Sequence, residues 1–86
     1  MEIQAAITQI HDANVAVVWV NRYAILSDRE ATAYTHQLED SFAMPVVLAA
    51  NGRDRTPVFF SQHEDLVACL SLTPLLSLPW SRYEVA

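Results

Sequence analysis

Ile3, Ala6, Ile7 and Ile10 fall at i, i+3, i+4 and i+7, the spacing of one helix face, and Glu2 stands where a first-turn acid favours the helix dipole. This spacing predicts an amphipathic helix over residues 1–11, closed by His11. The pattern then changes. Residues 14–21, NVAVVWVN, hold six consecutive apolar residues rich in β-branched types, which predicts a strand covered on both faces at the centre of a sheet. Tyr23–Leu26 fits either a short return strand after an Asn21-Arg22 turn or a loop leading into the next helix.

Ser27 and Glu30 then stand in capping-box spacing, and Ala31, Tyr34, Leu38 and Phe42 recur with helical period until Pro45 forbids continuation. Val46–Ala50 reads as a second buried strand. Asn51-Gly52, two residues that tolerate positive φ, predicts a tight hairpin. Pro57 has no N–H for a ladder, so its strand belongs on an open edge or carries a bulge, with Val58–Phe60 as its firm part. Ser61 and Glu64 repeat the capping box, Leu66, Val67 and Leu70 line the helix that follows, and Thr73-Pro74 stops it. Residues 81–85 alternate as a half-buried strand does.

The sum is the order αβ(β)αββαβ in one α+β domain over residues 1–86. It predicts a small mixed sheet of four to five strands covered by three helices, with thioredoxin-like and ferredoxin-like arrangements as alternatives. The run from Met44-Pro45 through an apolar strand, an Asn-Gly turn, a strand and a capped helix resembles the closing ββα half of thioredoxins. The resemblance covers under a third of the chain, and the active-site cysteine pair is absent. It therefore implies a fold and no redox activity.

Composition narrows the function. Apolar residues make up 52% of the 86 and charged residues 17%, against about 25% charged in an average soluble domain. A domain of this size buries only roughly 60–65% of its surface, so the apolar excess points to a subunit interface or a bound partner. All five basic residues are arginine, and ten acids bring the net charge to −5, which argues against a nucleic-acid surface. A single cysteine, Cys69, excludes an internal disulfide and a Cys-x-x-Cys motif and suits a reducing cytoplasm. No leader pattern opens the chain and no apolar run has the length of a membrane span, so a cytoplasmic protein without a membrane partner is expected.

The candidate chemistry is thin. One glycine and no lysine leave no phosphate cradle, P-loop or Schiff base, and no serine has the glycine neighbours of a nucleophile elbow. His36 and Asp40, four apart on a helix, offer two metal ligands where a stable zinc site needs three or four. His63, Glu64 and Asp65 fit the acidic first turn of a helix as well as an acid–base cluster. Cys69, late in its helix, reads as a small apolar residue. No catalytic residue, metal or cofactor is expected.

Arg53 and Arg55, flanking Asp54 at the hairpin tip, and Arg22 are the candidate anion-binding point, because paired guanidinium forks suit a carboxylate or phosphate. Leu75, Leu76, Leu78, Trp80 and Tyr83 follow a helix already ended by Pro74 and are the candidate interface. The expected function is a non-enzymatic protein–protein interaction module acting as a homodimer. A small enzyme or ligand-binding domain with a pocket between sheet and C-terminal tail is the first alternative. It would use His36 or His63 with arginines. The second is an acidic inhibitor or immunity-type protein steered to a basic partner.

Overall fold

The computed structural model describes residues 2–52, 54 and 56–85. It is a small α+β fold: β1 (Glu2–Ile10), β2 (Ala13–Trp19), α1 (Tyr23–Leu26), α2 (Asp28–Phe42), β3 (Val46–Asn51), β4 (Pro57–Phe60), α3 (Glu64–Leu70), a 3-10 turn (Leu75–Ser77) and β5 (Trp80–Glu84). The strands form one five-stranded sheet in the order β4-β3-β2-β1-β5. Only β2 and β3 run parallel, joined through α2. The β3-β4-α3 run is the ββα unit that the thioredoxin resemblance implies.

The residues from Glu2 to Ile10 form a strand where the apolar spacing predicts a helix. That spacing also contains an alternating set, Ile3, Ala5 and Ile7, and the strand is selected by its two neighbours. β1 pairs with β2 over seven residues and with β5 over five, and Ala5 and Ala6, on opposite faces, are both fully buried. A helix would leave those ladders without partners. His11 and Asp12 close the β1–β2 hairpin with φ of 53° and 66°. Two positive φ values in a two-residue loop are the backbone of a type I′ turn, whose twist matches that of the flanking strands. His11 is thus a turn residue and caps no helix.

β2 lies at the centre of the sheet, as its continuous apolar run requires, and Val15–Val18 are fully buried. Their side chains alternate between two cores. Ala16 and Val18 join Ile3, Val46, Leu48 and the α2 residues Ala31 and Leu38 on one face. Val15 and Val17 join Val47, Ala49 and the α3 residues Leu66 and Leu70 on the other. Full burial of each such valine or leucine contributes about 1.5–3 kcal/mol.

Tyr23–Leu26 is neither strand nor loop but one turn of helix, opened by Asn21 Oδ1 accepting the Tyr23 N–H at 3.0 Å. Ser27 caps α2 as its spacing predicts, its Oγ accepting from the Glu30 N–H at 3.4 Å. Ser61 does not cap α3. The helix begins at Glu64 after His63, while Ser61 Oγ accepts from the His63 N–H at 3.1 Å and donates to the Val46 carbonyl at 2.9 Å. Ser61 therefore ties the β4–α3 turn to the start of β3. The β3–β4 hairpin is also wider than a two-residue turn, since Asn51 still pairs with Pro57. Gly52 has no positive φ; a Cβ there would lie 2.8 Å from the Thr56 carbonyl oxygen, so close approach of backbone is what requires glycine. Pro57 opens the edge strand β4, where its missing N–H breaks no interior ladder.

Candidate functional site

The tail folds back onto its own sheet. Leu75, Leu78 and Trp80 pack on the α3-side core, and β5 adds antiparallel to β1 as an edge strand. Tyr83 turns to the opposite face, edge-on to Phe42 at 5.6 Å between ring centroids. The Cα radius of gyration is 11.8 Å, and a compact domain of this length has about 12 Å. Of the candidate interface residues, Leu75, Leu78 and Trp80 thus pack on one face of the chain's own sheet and Tyr83 on the other. Leu76 alone of the five points outward, 97% exposed.

Trp80 is fixed by two contacts. Its indole N–H donates to the Leu75 carbonyl at 2.7 Å, and its ring meets Trp19 edge-to-face with centroids 6.0 Å apart. The two indoles, with Pro57, Pro74, Leu75 and Leu76, wall a cleft of about 660 Å³, and the exposed carboxamides of Gln4 and Asn51 stand on it. It lies at the carboxyl ends of the two parallel strands, Trp19 ending β2 and Asn51 ending β3. Open sheets with parallel strands place ligands at such ends, because helices cover the faces and the loops leave a crevice.

The same end of the molecule continues past the strand termini. A polar hollow shares Trp19 and Asn51 with the cleft and adds Asn21, Arg22, Tyr23 and Gly52. A further apolar hollow is lined by Tyr23, Ile25, Leu26 and Val58. Arg22 lies in both hollows, its guanidinium carbon 5.1 Å from the Tyr23 ring centroid and Nη2 donating to the Tyr23 hydroxyl at 3.3 Å. That hydrogen bond, and then the positive charge, hold the Tyr23 phenol below its ordinary pKa. Of the candidate anion-point residues, Arg22 therefore lies at this end of the molecule, paired with Tyr23, and Arg53 and Arg55 lie outside the described residues.

The histidines take three separate places. His36 and Asp40 are both exposed on α2. His63 reaches across to α2, its Nε2 3.6 Å from Glu39 Oε1, an oxygen that is buried without a hydrogen-bond partner. His11, brought back by the I′ turn, lies with its Nε2 3.3 Å from Cys69 Sγ. This thiol–imidazole pair was not foreseen, because 58 residues separate its members and no local pattern connects a hairpin turn to the end of a helix. Among the described residues no three His, Cys, Asp or Glu side chains come together as a metal site. No helix of the described residues is long and apolar enough to cross a membrane. Compared with family models, with curated proteins and with solved structures, the chain matches none.

Proposed function

We propose that this protein is a non-enzymatic protein–protein interaction module that self-associates as a homodimer through the end of the sheet where β2 and β3 finish. The observation that carries this reading is the convergence of exposed apolar side chains there. Five large apolar residues stand out to solvent among those described, and four of them, Tyr23, Leu26, Val58 and Leu76, line that one end. Scattered exposed apolar residues mean little, but a contiguous patch marks a contact surface. Tyr, Trp and Arg, the types enriched at interface centres, meet there in Tyr23, Trp19 and Arg22.

Charge favours a second copy as the partner. The chain carries ten acids and a net charge of −5, yet among the described residues lining this end Arg22 is the one with a formal charge. Two acidic subunits meet with least repulsion through this end. The reading places the protein in the cytoplasm, where a free, half-buried Cys69 stays reduced.

Sedimentation equilibrium tests it. The wild type is expected to dimerise at micromolar concentration, and Leu26→Asp, at a side chain 74% exposed, is expected to raise the dissociation constant about tenfold or more. A wild type that remains monomeric at high micromolar concentration overturns the homodimer.

A further inference from the structure

The cleft between the two tryptophans and the tail goes beyond a docking patch, and we infer that it is a binding site for an uncharged, flat, largely apolar small molecule. Its volume, about 660 Å³, lies within the roughly 300–1,000 Å³ range of small-molecule sites. Its walls are two indole rings, two prolines and two leucines, and among the described residues that line it no side chain is ionised. An ionic ligand would be stripped of water there without a counter-charge, a cost that favours a neutral one.

The polar groups narrow the class further. The Trp80 indole N–H is already committed to the Leu75 carbonyl, so recognition falls to the carboxamides of Gln4 and Asn51. Each carboxamide offers both a donor and an acceptor. They suit a ligand carrying a carbonyl, amide or hydroxyl at its edge, with an aromatic or fused-ring body lying against the indoles. Pro57 and Pro74 give the cleft walls with little conformational freedom, which lowers the entropy lost on binding. Trp19 and Asn51 are the last residues of neighbouring strands, so the floor is built on the sheet and not on a loop.

The test uses two dyes that differ by one charge: N-phenyl-1-naphthylamine, which is neutral, and its 8-sulfonate, which is anionic. Titrations run at high ionic strength, so that the net charge of −5 does not repel the sulfonate at long range. The expected result is saturable one-to-one binding of the neutral dye, at least about tenfold tighter than the sulfonate. Leu76→Asp places a carboxylate on the wall at a position too exposed to disturb folding, and is expected to weaken the neutral dye about tenfold. Leu72→Asp, at another strongly exposed leucine that does not line the cleft, leaves binding unchanged. Leu26→Asp, which tests the dimer, also lies outside the cleft, so retained dye binding by that variant separates the fate of the two proposals. Absence of saturable binding, equal affinity for the two dyes, or equal loss in the Leu72 and Leu26 variants overturns the inference.

Discussion

Replacing Trp80 by alanine distinguishes a tail that completes its own core from one that waits for a partner. A tryptophan side chain buries about 150–250 Å² when enclosed, and Trp80 is half-buried, so about 100 Å² leaves water. At about 25 cal/mol per Å² that contributes about 2.5 kcal/mol. The edge-to-face contact with Trp19 adds about 1 kcal/mol, and the N–H bond to the Leu75 carbonyl adds about 1 kcal/mol net. Compaction of the unfolded chain reduces such sums, so Trp80→Ala is expected to cost about 3 kcal/mol of folding stability. Trp80→Phe keeps a ring and loses the donor, and is expected to cost about 1 kcal/mol. Urea unfolding followed by far-ultraviolet circular dichroism measures both. With a slope near 1 kcal/mol per molar urea for so small a chain, the alanine variant's midpoint falls by about 3 M. Sedimentation at matched concentration shows whether association moves as well. A loss under about 1 kcal/mol together with abolished association would refute the reasoning, because Trp80 would then act as an interface hot spot and not as core.

Ala43 ends α2 in the left-handed region at φ 57°, with its N–H bonded to the Glu39 carbonyl at 2.8 Å. That conformation costs a non-glycine residue about 1 kcal/mol, so Ala43→Gly is expected to raise the thermal midpoint by a few degrees, and a fall would show that the strain is absent. Burial raises the Tyr34 phenol above its ordinary pKa, so the folded state holds a proton that the unfolded chain releases. The stabilising contribution is whole below the unfolded value and is lost as pH rises through the folded one. Ultraviolet titration is expected to show Tyr34 ionising late and Tyr23, beside Arg22, early; a Tyr34→Phe variant that loses the earliest phase instead contradicts this order.

The legible parts of the fold were those where one local signal sufficed. Val15–Val18 read as a strand covered on both faces, because four consecutive β-branched-rich apolar residues leave no polar side to wet, and all four are buried between α2 and α3. Ser27 and Glu30 placed a helix start because the cap bond spans three residues. The Glu2–Ile10 strand failed the same test for a physical reason: Ile3 and Ile7 satisfy both the helical and the alternating period, and partners from residues 13–19 and 80–84 break the tie. The α3 start was displaced because a Ser-x-x-Glu spacing does not say which backbone groups are in need. Ser61 meets Val46, fifteen residues away, and leaves the helix cap to His63.

The cleft shows how far a tail can be read and where reading stops. Leucines and a tryptophan after a terminating proline had to find an apolar surface, and that much follows from their chemistry. Which surface depends on whether β1 is a helix or a strand. A helical β1 would leave β2 at the sheet's edge with no neighbour for β5, and the tail would be driven to another subunit. Once Glu2–Ile10 is a strand, residues 80–84 gain a ladder to join, Trp80 is carried beside Ala6 and, across the sheet, against Trp19, and the turn at Leu75–Ser77 roofs the strand ends. The place of the tail therefore follows from the first element: with Glu2–Ile10 as a strand, Leu75, Leu78, Trp80 and Tyr83 gain contacts within their own chain, while Leu76 stays exposed beside the cleft.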